Sequence, residues 1–271
     1  MEKQHLERLC RSTCDLVGSV AGFIEGQLNK VKLEDIETKS LNSLVSYVDK
    51  KAEVQLVSGL RSRLEDSTFL TEEDTIENEE GEYRWIIDPL DGTTNFLHQL
   101  PFFAISVALE HRGELIMGVV FEVNRKECFY AWKGGGAWLN RTRIQVNNNE
   151  RLQDALLSTG FPYYDYTYQK QYFACLSQLS GQTRGIRRYG AAALDLAYVA
   201  CGRFDAYFEY SLQPWDVAAG IVIIREAGGI LSDFEGGDNY LFGQQMIAGN
   251  PTIQPIILST IQHHFSQSTS S

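Results

Sequence analysis

Trp85-Ile86-Ile87-Asp88-Pro89-Leu90-Asp91-Gly92-Thr93-Thr94-Asn95-Phe96 is the stretch on which the reading of this chain turns. Its apolar start reads as a strand that delivers Asp88 at its end. Pro89 steers the residue before it away from helical dihedrals, so the chain must turn there. Asp91 then falls in the turn. Gly92 lets the backbone approach a ligand closely, and the amides of Gly92, Thr93 and Thr94 open a helix, where unpaired N–H groups favour an anion. Two carboxylates and a set of anion-seeking amides thus converge within a few residues. Hard oxygen ligands of this kind suit Mg2+, which binds one or two carboxylates, keeps waters and takes oxygens from a phosphate. An aspartate capping a helix, with a second aspartate in a turn, would use the same residues without any ligand.

A second constellation lies downstream, Tyr207-Phe208-Glu209 followed by Pro214-Trp215-Asp216-Val217-Ala218-Ala219-Gly220. Asp216 stands at a helix start, where the dipole and free amides stabilise its charge. A simple cap explains that residue equally well, and nearness to the first motif cannot be read from separation along the chain.

Around these motifs the pattern is that of a layered α/β protein. Residues 3–29 carry Leu6, Leu9, Cys10, Thr13, Leu16, Val17, Val20 and Ile24 at three- and four-residue steps, which predicts an amphipathic helix. Residues 49–60 repeat the pattern. From Tyr83 onward apolar runs at 85–87, 103–109, 115–121 and 128–132 predict consecutive antiparallel strands. The second half alternates, with strands at 155–159, 184–189 and 205–209, helices at 169–179, 192–201 and 215–227, and short strands near Ile230 and Met246. No linker or repeat separates the parts, so 1–271 reads as one domain of two packed halves, about 1–150 and 151–271. The polar tail, 262–271, is expected to fray.

Composition narrows the class. With 271 residues, 44% hydrophobic and 22% charged, the chain can bury a full core and is neither disordered nor fibrous. A net charge of -11 opposes attraction to nucleic acid and anionic lipid, so neither is an expected partner. The N-terminus offers no long uncharged apolar core, which argues against a signal peptide or membrane span and makes the cytoplasm the expected compartment. Five cysteines without C-x-x-C spacing read as reduced thiols and not as a disulfide or zinc framework.

Taken together, the motifs resemble the inositol monophosphatase family of metal-dependent, lithium-sensitive phosphatases. The string from Trp85 to Phe96, then Gly190-Ala191-Ala192-Ala193-Leu194-Asp195-Leu196 running on to Glu209, then the Pro214-Trp215-Asp216 helix, occur in the family order, and the likeness spans roughly 39–229. The resemblance implies a five-layer αβαβα sandwich, commonly dimeric, so a homodimer is expected. It implies that Asp88 bridges two metal ions, that Leu90 gives its backbone carbonyl, that Asp91 and Asp216 hold the second metal, and that Glu72 holds the first. It further implies that Asp49 and Thr93 orient and deprotonate the attacking water. The Gly92 and Thr93 amides would cradle the phosphate, while Ala192 and Glu209, with Asp91 and Asp216, would meet the alcohol part of the substrate. Lys39 aligns near the metal-site loop, 34–46.

Departures from the family pattern fall at Ser43, where an aspartate is usual, and at Thr71-Glu72-Glu73, which lacks the usual glycine. Either Glu72 or Glu73 could therefore be the ligand, and a solvated acidic loop fits both. Arg184, Arg187 and Arg188 read as charge protecting a strand edge, His263-His264 as part of the tail, and Gly134-Gly135-Gly136 as a hairpin turn. The function implied is Mg2+-dependent hydrolysis of inositol monophosphate. A sister activity on 3'-phosphoadenosine 5'-phosphate, fructose bisphosphate, NADP or histidinol phosphate, and a catalytically silent member of the fold, remain open at this point.

Overall fold

The computed structural model describes residues 2–40, 43–162 and 165–266. Helix α1 (Lys3–Glu25) buries Leu6, Leu9, Cys10, Thr13, Val17, Val20 and Ile24, the stripe that its sequence period demands. A short hairpin follows, β1 (Ile36–Ser40) with β2 (Ser43–Ser46), and leads into α2 (Tyr47–Arg61). The loop expected over 34–46 is therefore largely strand, although the side chains of Lys39 and Ser43 lie outside what is described.

The first large sheet has seven strands in sequence order: β3 (Thr68–Thr71), β4 (Tyr83–Asp91), β5 (Ala104–His111), β6 (Glu114–Glu122), β7 (Glu127–Trp132), β8 (Gly136–Leu139) and β9 (Thr142–Ile144). Between β4 and β5 lies a short helix, α3 (Thr93–Leu97). Every neighbour in this sheet is antiparallel except the β3/β4 pair. The Gly134 to Gly136 run is the β7–β8 turn, as expected, and its Gly134 and Gly136 amides donate to the Glu226 carboxylate at 2.8 Å each.

The second sheet is built from β10 (Leu156–Thr159), β11 (Gly185–Arg187), β12 (Ala206–Tyr210), β13 (Ile230–Ser232) and β14 (Gln245–Gly249), in the order β11-β10-β12-β14-β13. Strand β10 runs parallel to both its neighbours, and the β14 pairs are antiparallel. Helices α4 (Gln169–Ser180), α5 (Ala192–Ala200), α6 (Pro214–Glu226) and α7 (Ile253–Ser266) complete the chain.

Three apolar clusters define the layers. In one, α1 and α2 cover one face of the seven-stranded sheet through Val17, Leu56, Trp85 and Trp132. In another, α5 and α6 fill the space between the two sheets, with Leu194, Leu196, Ile221 and Ile223 against Ile86, Val120, Tyr207 and Met246. In the last, α4 and α7 close the outer face of the second sheet through Tyr172, Cys175, Ile253 and Ile257 against Phe208 and Ile247. The order is αβαβα, as expected. Burying apolar area at about 25 cal/mol per Å2 on both faces of both sheets is what holds five layers together.

Two expectations are corrected. Of the tail expected to fray over 262–271, residues 262–266 instead extend α7, where Ile257 and Ile261 are buried and His264 Nε2 lies 2.8 Å from Gln178 Oε1, and 267–271 lie outside the described residues. The strand expected over 184–189 shrinks to Gly185–Arg187, an edge strand, with Arg184 paired to Asp154 at 3.0 Å. Among the described residues no helix is long and apolar enough to cross a membrane.

Candidate active site

Strand β4 carries an irregularity that decides the site. Asp88 stands opposite Ser106 and Asp91 opposite Ala104, so three steps on β4 match two on β5. Strict alternation would turn residues three apart to opposite faces of a sheet. The extra residue cancels that half-turn and sends both carboxylates into one cleft. Pro89, which has no N–H to give a ladder, sits in the bulge, and Leu90 N donates to Asp88 Oδ1 at 2.9 Å.

Gly92 then adopts φ 89°, ψ 36°, left-handed values that a side chain rarely accepts. A Cβ there would also press on the Phe102 and Gly190 carbonyls and on Ala191. Asn95 secures the same junction by donating from Nδ2 to the carbonyls of Phe102 at 2.7 Å and Tyr189 at 2.8 Å. Helix α5 begins against this turn. Its N-cap, Ala191, has no side chain to cap with, and Asp91 Oδ2 accepts the Ala193 amide at 2.7 Å instead. Asp91 thus serves as a cap delivered from another layer.

Asp216 occupies the third position of α6 and accepts the Gln213 amide at 2.7 Å, closing a capping box around Pro214. Asp49 holds the equivalent place in α2, where its Oδ2 accepts the Ser46 amide at 2.9 Å and the Ser46 hydroxyl at 2.7 Å. Its Oδ1 faces Thr93 Oγ1 at 2.9 Å, and that hydroxyl also lies 3.0 Å from the Leu90 carbonyl. One hydroxyl proton serves one of these acceptors at a time, so the choice between them is a proton-position switch at Thr93.

Glu72, Asp88, Leu90, Asp91, Gly92, Thr93, Ala192, Glu209 and Asp216 all line the cleft. Asp49 does not, and reaches it only through Thr93. Of the two adjacent glutamates it is Glu72 that lines the cleft, while the Glu73 amide turns away to Glu53. Arg188, read from sequence as edge protection, lines the cleft as well.

The electrostatics are those of crowded buried acids. Asp88 is pushed well above the ordinary carboxylate range, first by burial and then by the Glu72, Asp91 and Asp216 charges. Burial lifts Asp91 to about 7, opposed by the Ala193 amide and reinforced by Glu72 and Glu209. Asp216 rises to about 7 by burial and the Asp91 charge. Burial takes Glu209 to about 8 against the stabilising Tyr207 hydroxyl, which donates at 2.6 Å. Like charges gathered out of water cost free energy that a bound cation would offset. The donor set is oxygen only, from carboxylates and the Leu90 carbonyl, which fits Mg2+. Among the described residues no three or more His, Cys, Asp or Glu side chains form a ready-made metal cage. Mg2+ does not require one, since it keeps waters and fills its shell with phosphate oxygens.

Several residues of the site escape a sequence reading. Glu53, fully buried on α2, accepts the Glu73 amide and the Thr75 amide at 2.8 Å each and the Thr75 hydroxyl at 2.7 Å, and so pins the loop that presents Glu72. Removing a charged acceptor from buried donors should cost about 3 kcal/mol, so Glu53→Ala should lower unfolding stability by that order and Glu53→Gln by less. Denaturant unfolding of the variants checks this, and equal stability of parent and Glu53→Ala would show that the loop is held otherwise. Gly160 lies against Glu209 so closely that any Cβ would strike the carboxylate. Asp195, on α5 and 1% exposed, is raised by burial and by the Glu209 and Asp91 charges.

The inositol monophosphatase family model matches residues 5–267. A putative Nus factor SuhB of Neisseria meningitidis is 43% identical over 240 residues, covering 88% of this chain and 91% of the relative. An inositol-1-monophosphatase of Mesorhizobium japonicum is 40% identical over 228 residues, covering 84% and 86%. The crystal structure of the extragenic suppressor protein SuhB of Bartonella henselae superposes with a TM-score of 0.88 at 37% identity, covering 94% of this chain and 98% of that one. The inositol monophosphatase of Thermotoga maritima gives 0.85 at 33% identity, covering 94% and 96%. With its cleft built from Asp88, Asp91 and Asp216 and its layers in this order, the chain belongs to the inositol monophosphatase family.

Proposed function

We propose that the chain is a Mg2+-dependent phosphomonoesterase that hydrolyses inositol monophosphate to inositol and phosphate. The observation that carries this reading is the convergence of nine residues, from Glu72 to Asp216, on one cleft. Glu72, Asp88, the Leu90 carbonyl, Asp91 and Asp216 would hold the metal. When bound, Mg2+ supplies positive charge for the phosphate oxygens and for the attacking water.

The chain's own residues then divide the work. Thr93 Oγ1 accepts the proton of the attacking water as it passes its own to Asp49 Oδ1, which lies 2.9 Å away. The Asp49 carboxylate, held by two contacts from Ser46, cannot swing out of that line. The Gly92 and Thr93 amides donate to the phosphate at the start of α3. Glu209, fixed by the Tyr207 hydroxyl and given room by Gly160, accepts hydroxyls of the inositol ring beside Ala192 and Asp216.

The names of the relatives do not choose the substrate. Those called Nus factor SuhB, or putatively so, stand at 41 to 43% identity and the one called inositol-1-monophosphatase at 40%, too small a difference to separate activities. The runner-up reading keeps the same cleft and replaces the alcohol, as in 3'-phosphoadenosine 5'-phosphate, fructose bisphosphate, NADP or histidinol phosphate. A parallel measurement of kcat/KM on these esters with Mg2+ decides. Preference for inositol monophosphate is the expected result, a clear preference for another ester replaces the substrate, and no release from any of them removes the enzyme reading.

A further inference from the structure

Three of the five cysteines meet where α1 crosses β7. Cys10 and Cys14 lie one helical turn apart on α1, and both belong to the apolar cluster that includes Cys128 of β7. Cys128, Tyr130 and Trp132 alternate onto the face that α1 covers. Cys10 Sγ donates to the Ala131 carbonyl of that strand at 3.8 Å, which places the helix directly over it. Arg11 lies over the Trp132 ring at 5.7 Å and Glu25 pairs with Lys126 at 3.3 Å, so α1 and β7 run in opposite senses and the turn after Cys10 carries Cys14 from the level of Ala131 toward that of Cys128. Cys10 and Cys128 are buried, whereas Cys14 is partly exposed. None of the three cysteines lines the cleft.

We propose that Cys14 and Cys128 form a peroxide-oxidisable thiol pair, with Cys14 the reacting thiol and Cys128 the resolving one. In the first step the Cys14 sulfur attacks one peroxide oxygen, the O–O bond breaks, and Cys14 becomes a sulfenic acid while the other oxygen leaves as water after taking a proton. In the second step the Cys128 sulfur attacks the Cys14 sulfur, the S–S bond forms, the S–O bond breaks, and a second water carries away the Cys128 proton. Both sulfurs are oxidised and both peroxide oxygens reduced, so hydrogen peroxide is the only co-reactant.

Reactivity follows thiolate character and access together. Hydrogen bonds from Cys10 and then Cys128 hold the Cys14 thiol down to about 5, with the Arg11 cation adding to them against burial and Asp15. Cys10 is pushed up, chiefly by burial, and Cys128 by its bond to Cys14 and by burial. The choice of Cys128 as resolving thiol is geometric. Residues four apart on a helix hold their Cβ atoms about 5 to 6 Å from each other. A disulfide needs about 3.8 Å. A Cys10–Cys14 bridge would therefore have to deform α1, whereas Cys14 and Cys128 sit on separate elements that can adjust. Cys201 is the internal control, since it is also partly exposed, but its thiol is raised by burial and donates to the Tyr198 carbonyl at 3.5 Å.

The test uses the whole reduced chain treated with hydrogen peroxide, read by thiol titration and peptide mass mapping. Free thiols should fall from five to three, with one Cys14–Cys128 cross-link within a single chain. Cys14 should disappear about tenfold or more faster than Cys201. Cys128→Ser should leave a sulfenic acid on Cys14 that dimedone traps, and Cys10→Ser should keep the cross-link. Mapping of the unaltered chain stands even where a serine variant fails to fold. A Cys10–Cys14 bridge, a bridge between two chains, first oxidation at Cys201, or five thiols retained would each overturn the proposal.

Discussion

Replacing Asp91 with asparagine should lower phosphate release from inositol monophosphate by about a hundredfold or more while leaving the fold in place. Disturbing even an outer partner of a metal ligand typically costs about 10- to 100-fold in affinity or activity, and stripping a ligand of its charge should cost no less. The same loss should follow chelation of the unaltered protein and be reversed by Mg2+. The amide of asparagine keeps a carbonyl oxygen for the Ala193 amide, so the α5 cap survives. It also removes one of several acids that lift each other in the cleft, Asp88 and Asp216 among them. The metal-free variant should consequently melt no lower than the metal-free parent. Turnover assayed against Mg2+ concentration, with thermal melts in chelator, reports both. Near-parental turnover in the variant, or full activity in excess chelator, would defeat the proposed role of the cleft.

The second large effect concerns choice of substrate. Above pH 8, where Glu209 is charged, Glu209→Gln should reduce kcat/KM for inositol monophosphate by up to about a hundredfold, since a hydrogen bond to a charged acceptor is worth about 1.5 to 3 kcal/mol. A simple aryl phosphate, which offers no ring hydroxyls, should lose far less. Gly160→Ala should reproduce the split without touching the carboxylate chemically, because its added methyl would displace Glu209. Equal losses on the two esters would mean that Glu209 supports the site and does not select the alcohol.

The parts of this site legible in sequence share a physical property. Asp88, Asp91, Gly92, Thr93 and Asp216 act through local geometry, namely a strand end, a left-handed turn and the first turn of a helix, and local geometry leaves a mark on neighbouring residue types. Glu53 and Asp195 leave none. Each is an acid on a helix, where charge normally means solvent, and only burial at 0% and 1% shows otherwise. Gly160 and Tyr207 matter because Glu209 arrives beside them from the packed sheet, and Arg188 because the turn at Tyr189 and Gly190 folds onto Asn95. Among the elements, β3 and β9 were silent because runs of four and three residues are too short to show a period. Helix α7 was not expected at all, because Pro255 stands in its first turn and Gln262, His263 and His264 read as polar tail, although its inner face carries Ile253, Ile257 and Ile261.

The bulge in β4 has a bearing on how this chain can vary over evolutionary time. Exchanging Leu90 for another residue keeps the count of three steps against two, and with it the backbone carbonyl and the direction of both aspartates. Losing that codon would leave only Pro89 between two aspartates that plain alternation already turns the same way, but it would erase the bulge, the Leu90 amide that Asp88 accepts and the Leu90 carbonyl that faces Thr93. Lineages descending from this sequence are thus free to drift in residue identity at 89 and 90 far more than in length, and a gap there would mark a descendant that has abandoned the site.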